Sequence, residues 1–382
     1  MSQTVLVLGG GVGGLVVASL VRRHLSSEHR VLVVDREPSF SLAASYLWVM
    51  SGARRPQQVS RPLGRLQRKG IQVIHGEVEH IDPARREAVV AGTRIAADHL
   101  VIALGAEFNP QAVEGLSAGG LTFATLDGAT RLRAALSEFV KGRIVVLTAA
   151  PLYKCPAAPY EAALLLEAHR RRARGDQIHI DLYTAEPGPM GVAGPAVSAA
   201  VRAIVESKSI GYHPEHQVVR VDAVERSAEF SDGGKVGYEL LVYMPPIQAP
   251  RVVRESPLAS ASGWIEVDRH TLRTRFAGVY ALGDVTSIPL SMGKPLPKAG
   301  VFAHGQARVV AHNIVRTITG AGREASFAGH GGCFVETGDG KAGYGAGDFY
   351  AEPRPSVKLH RPRLLWHAGK VMFEKYWFWR WM

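Results

Sequence analysis

Apolar positions along the chain fall in short unbroken runs, most of which end in glycine or an acidic residue. Residues 4–8 (TVLVL) are followed at once by Gly9, Gly10, Gly11, Val12, Gly13 and Gly14, then by a helix-periodic stretch over 15–25. A continuous apolar run bounded by turn residues predicts a strand buried on both faces. A second run, 31–34, ends in Asp35, 24 residues beyond Gly11, and closes a βαβ unit. Residues 98–106 predict another buried strand that turns at Gly105, and 144–148 and 178–184 flank a helical segment over 160–174, a second βαβ unit. Residues 278–284 predict a strand running into Gly283 and Asp284. Strands alternating with helices imply an α/β fold with parallel sheets in two Rossmann-like units.

The last 26 residues, 357–382, break this pattern. They hold four of the six tryptophans and a net charge of +5. Arg363, His367, Lys370 and Glu374 fall on one helical face, with Leu364, Ala368, Val371, Met372, Tyr376 and Trp379 on or near the other. An amphipathic helix is expected there, its aromatic rings at the headgroup level of a bilayer and its cations facing anionic lipid.

Composition narrows the function classes. The chain has 382 residues, 46% of them hydrophobic, enough for two or three cored units, and its 41 Gly and 22 Pro show no collagen period. No stretch reaches the roughly 18 to 20 apolar residues that cross a bilayer, so any membrane contact is expected to be peripheral. The opening MSQTVLVLGGGVGG lacks the features of a signal peptide, which favours the cytoplasmic face. A net charge of +11 raises the question of nucleic acid. The basic residues are scattered apart from the aromatic tail and Arg170, Arg171, Arg172 and Arg174, and no zinc-ligand or helix-turn-helix spacing occurs, so neither a nucleic-acid partner nor a metal is expected.

The chemistry sits in the turns. Gly9-x-Gly11-x-x-Gly14 between a strand and a helix lets backbone N–H groups approach a pyrophosphate, and Asp35 at the end of the next strand can take ribose hydroxyls. The corresponding turn of the second unit reads Ala149-Ala150-Pro151-Leu152-Tyr153-Lys154-Cys155-Pro156, without a glycine, which disfavours NAD(P)H. That turn offers Cys155 beside Lys154 just before a helix, a setting expected to lower a thiol pKa. Two cysteines, Cys155 and Cys333, cannot make a structural disulfide framework, and a redox role is the expected reason for any pairing.

Three segments, the glycine fingerprint, the strand ending at Gly105 and Gly283-Asp284, together resemble the FAD-binding set of flavoproteins with two dinucleotide-binding domains, where the last acid, here Asp284, holds the ribityl chain. Lys154-Cys155-Pro156-Ala157-Ala158-Pro159-Tyr160-Glu161, Gly331-Gly332-Cys333, residues 297–303 and the run 366–377 resemble segments of the sulfide:quinone oxidoreductases and, in part, of the related flavocytochrome c sulfide dehydrogenases. The resemblance runs through nearly the whole chain. It implies FAD, bound without a covalent link since the third cysteine of some members is absent. It implies sulfide and a membrane quinone as substrates, and a bilayer surface as partner. Oligomeric state stays open.

In those relatives hydrosulfide attacks a sulfur bridge between the two cysteines, leaving a persulfide and a thiolate that passes two electrons to the flavin. The resemblance assigns Cys155 and Cys333 to these roles without saying which accepts sulfur. It makes Glu161 the proton acceptor and Lys298 a positive charge beside the flavin; Glu161 could equally serve its helix dipole. The implied organisation is an FAD domain from 1–110 and 247–318, a second Rossmann-like domain over 111–246, a segment 319–356 carrying Cys333 and the tail helix 357–382. A flavocytochrome c subunit or a type II NADH:quinone reductase are the rival readings.

Overall fold

The computed structural model describes residues 2–172 and 176–382. Along the chain come β1 (Thr4–Leu8), α1 (Val12–His24), β2 (Arg30–Asp35), α2 (Tyr46–Met50), β3 (Gln72–His75) and β4 (His99–Ile102). A second unit follows with β5 (Leu121–Thr122), β6 (Gly142–Thr148), α3 (Ala158–Arg172), β7 (Ile178–Tyr183), β8 (Ile210–His213) and β9 (Leu240–Met244). The chain then returns with β10 (Val279–Ala281) and α4 (Gly300–Thr319), and ends in β11 (His330–Gly338), β12 (Lys341–Asp348), β13 (Ser356–Arg363) and α5 (Leu364–Trp381).

Two five-stranded parallel sheets result, in the orders β10-β4-β1-β2-β3 and β5-β9-β6-β7-β8. Their apolar runs are continuous because both faces are covered. In β1, Val5 and Val7 pack under α1 while Leu6 and Leu8 enter the opposite core. Ile144 and Val146 divide from Val145 and Leu147 in the same way across β6. The helix expected over 160–174 runs over Ala158–Arg172; Arg174 lies outside the described residues.

Two features differ from the sequence reading. Residues 330–363 form a three-stranded antiparallel sheet, β11-β12-β13, that packs on α3 and α5. The first seven residues of the expected tail helix thus belong to β13 and pair with β12. The orientation of the tail helix is also corrected. Lys370 and Glu374 are buried and turn toward the protein, where they find opposite charges, while Leu364, Leu365, Met372, Tyr376 and Trp379 are exposed, Trp379 at 77%. Trp377, fully buried, stacks on Phe40 with ring centroids 4.5 Å apart. Among the described residues no helix is long and apolar enough to cross a membrane.

Candidate active site

A cleft of about 410 Å³ opens along the carboxyl ends of the first sheet. Gly9, Gly11, Asp35, Gly105, Gly283, Asp284, Lys298 and Cys155 all line it. Gly14 does not; it sits where α1 crosses β1, and a Cβ there would lie 1.8 Å from the Gly9 carbonyl oxygen. The helix can therefore approach the strand closely only with glycine at that position. At Gly11, by contrast, a Cβ would meet nothing within 4 Å. The bare backbone faces the open cleft, and no side chain caps the first N–H groups of α1.

These residues fit a dinucleotide. Uncapped N–H groups and the positive end of α1 suit a pyrophosphate. Asp35 closes the same end, its Oδ2 accepting a hydrogen bond from the Gly10 N–H at 2.6 Å and its Oδ1 one from the Glu37 N–H at 2.8 Å. At the other end lie Asp284, Lys298 and the start of α4, also without a side-chain cap. Gly283 is held by its N–H donating to Gln306 Oε1 at 2.7 Å. The Lys298 ammonium is buried, donates to the Thr286 carbonyl at 2.5 Å and lies 3.8 Å from the Trp264 ring centre. Burial pushes its pKa down to about 8, against the pull of Asp284.

Cys155 stands at this inner end with φ at +55°, left-handed for a residue with a Cβ. Its N–H donates to the Lys298 carbonyl and its own carbonyl accepts from the Ala158 N–H, both at 2.8 Å, so the loop is tied to the cleft wall and to α3. Cys333, in β11, comes within hydrogen-bonding reach of Cys155 although 178 positions separate them. Both cysteines are free thiols and half-buried.

The expectation that Lys154 lowers the Cys155 pKa is corrected. The Lys154 ammonium turns away, 4.7 Å from the Phe108 ring centre, and the Cys155 thiol is pushed up by its hydrogen bond to Cys333 and by burial. Cys333, on the receiving side of that bond, is held below the ordinary thiol value.

Glu161, one turn into α3, is buried. Its Oε1 accepts from the Glu336 N–H at 2.8 Å and from the Lys370 Nζ at 2.9 Å. Burial raises its pKa and Lys370 opposes the rise. The Glu336 carboxylate in turn pairs with His367 Nδ1 at 3.0 Å. Farther along α5, Glu374 pairs with Arg54 Nε at 2.8 Å and accepts from Ser45. Sequence reasoning missed Lys370, Glu336 and His367. One signal was available: a helical face carrying both signs of charge, opposite a face of large apolar residues, is a face that needs partners.

The sequence profile of the pyridine nucleotide-disulphide oxidoreductases matches residues 3–324, and the chain belongs to this family of FAD-binding oxidoreductases. Within it the chain is similar to sulfide:quinone oxidoreductases. It is 28% identical over 304 residues to the mitochondrial enzyme of Mus musculus, covering 75% of this chain and 66% of that one. It is 28% identical to the sulfide-quinone reductase of Aquifex aeolicus, over 100% of this chain and 91% of the relative. The crystal structure of the sulfide:quinone oxidoreductase from Aquifex aeolicus superposes with a TM-score of 0.89 at 26% identity, covering 99% of this chain and 91% of that one.

Proposed function

We propose that the protein is an FAD-dependent sulfide:quinone oxidoreductase that oxidises hydrosulfide to sulfane sulfur and passes two electrons to a membrane quinone. The observation that carries this reading is the convergence of Cys155 and Cys333 at the end of a dinucleotide cleft where Asp284 and Lys298 also meet. The similarity to curated sulfide:quinone oxidoreductases supports the choice of substrates.

In the oxidised protein the two cysteines share a sulfur–sulfur bond. Hydrosulfide attacks one sulfur of this bridge, the bond to the other breaks, and a persulfide remains on one cysteine with a thiolate on its partner. In this reading Glu161, buried and in electrostatic range of both cysteines, takes the persulfide proton. Lys298 and the N-terminus of α4 set positive potential at the inner end of the cleft, where negative charge builds up on reduction. FAD, when bound, supplies the two-electron acceptor between the cysteine thiolate and the quinone. The exposed apolar row of α5 is the surface proposed to rest on the bilayer beside the quinone.

The test is an anaerobic titration of the yellow holoprotein. Sulfide alone is expected to bleach the flavin and a soluble quinone to restore its colour. The Cys155→Ser variant should keep FAD yet lose sulfide bleaching by at least a hundredfold in rate, roughly the loss of one essential catalytic group. Full activity in that variant would falsify the mechanism.

A further inference from the structure

The inner face of α5 reaches the reacting groups. One oxygen, Glu161 Oε1, is held at once by the Glu336 N–H and by Lys370 Nζ. Glu161 lies six residues after Cys155 and Glu336 three after Cys333, so the helix that follows Cys155 and the strand that carries Cys333 are joined through this carboxylate to the last helix. Among the described residues Oε2 has no hydrogen-bond partner and is the free acceptor of the pair.

We propose that Lys370 is a positioning residue that keeps Glu161 ionised and aimed between the two cysteine segments, so that the C-terminal helix completes the base of the sulfide site. This rests on the reading of Cys155 and Cys333 as the redox pair.

The charges around Glu161 favour this assignment. Facing it are Glu336 and Cys333 from β11, Cys155 from the preceding loop and Lys370 from α5, while His367 is bound to Glu336, Tyr153 to Glu186, and Glu374 farther along α5 to Arg54. Carboxylates and a thiolate all oppose ionisation of a buried acid, as does burial itself. Lys370 offsets them by direct contact, and Glu161 and Glu336 in return overcome the burial penalty on its ammonium. The His367 ring is committed to Glu336 and is charged only when protonated. Lys370 is further pinned between Glu161 and the buried Trp48, 4.9 Å from that ring centre. In turnover the persulfide S–H bond breaks and an O–H bond forms at Glu161 Oε2; Lys370 keeps its three protons throughout.

The proton on Glu161 can be read directly in the holoprotein by infrared spectroscopy. At pH 7 the wild type is expected to lack a protonated-carboxyl C=O band at this site. Lys370→Met should show one, and Lys370→Met combined with Glu161→Gln should lose it. Lys370→Gln keeps a hydrogen-bond donor without the charge and should behave like Lys370→Met, which covers the case where one variant folds poorly. The acidic limb of sulfide-driven bleaching should move up by roughly 1 to 3 pH units in either variant. Absence of the band and an unmoved limb would overturn the role of Lys370. A wild type that sulfide does not bleach would instead overturn the proposed reaction and leave the infrared outcome to stand by itself.

Discussion

Lys298 is the residue where the cost of the site is easiest to measure. Its folded pKa near 8 lies below the ordinary lysine value of 10.5, so the folded state binds fewer protons than the unfolded chain between those two pH values. Stability therefore rises with pH through that window, and the full penalty is felt below pH 8. Replacing Lys298 by Met removes the dependence. Denaturant melts of flavin-free wild type and variant should show the wild type gaining on the variant by roughly 3 kcal/mol between pH 8 and 10.5. A difference that stays flat across that range would show that the ammonium pays no burial penalty. Cys155 carries a second local cost. Its left-handed backbone is worth about 1 kcal/mol against it, sustained by bonds to Lys298 and Ala158. The glycines, Asp35 and Asp284 were legible in the sequence because each belongs to a strand-turn motif a few residues long. The partnership of Glu161 with Lys370 was not, because 209 positions separate its members and no local pattern encodes their meeting.

At the scale of the element, α5 has two kinds of aromatic residue, and substitution should separate them. Trp377 is buried against Phe40, so Trp377→Ala should cost about 3 to 5 kcal/mol in unfolding free energy. Trp379 is exposed and touches Tyr376 on the outer face, with ring centroids 5.9 Å apart. Changing Trp379 and Met372 together to Ser should leave stability within about 0.5 kcal/mol per site. The same double variant should reduce cosedimentation with anionic phospholipid vesicles at least tenfold; unchanged sedimentation would remove this face from membrane binding. Amphipathicity revealed that the helix had two faces. It could not say which face the protein takes, because a charged face satisfied by Glu161, Glu336 and Arg54 packs inward as well as an apolar one. The strand β13 was hidden for another reason. The sheet around it is rich in glycine, with Gly331 and Gly332 in β11 and Gly343, Gly345 and Gly347 alternating along its partner β12, where side chains would mark a period of two.

For the whole molecule, the two parallel sheets were legible because buried strands leave continuous apolar runs, and what distinguishes the sheets is the edge at which each could bind a nucleotide. The first edge is an open cleft. On the second, the turn after β6 is filled by its own side chains: the buried Tyr153 donates to Glu186, whose other oxygen accepts from Thr148 at 3.2 Å. A nicotinamide dinucleotide would have to displace this cluster. NADH alone, at concentrations matching sulfide, should therefore leave the flavin oxidised over the time in which sulfide bleaches it. Rapid bleaching by NADH would reassign the protein as an NADH:quinone reductase.

The single oxygen of Glu161 that holds both β11 and α5 also gives the molecule a chronology. Contacts between distant parts of a chain form after local ones, since a long loop must close first. The bonds from Glu161 to Glu336 and Lys370 span 175 and 209 positions. The pairing of β10 with β4 spans 179 positions, so the FAD cleft waits for chain closures as long as those that complete the surroundings of the thiols. Refolding followed by flavin fluorescence and by thiol alkylation should accordingly show cofactor uptake and cysteine reactivity rising together in one late phase; two well-separated phases would show that the last helix docks on its own. A newborn molecule would then pass through its most vulnerable moments with its reactive sulfurs not yet armed.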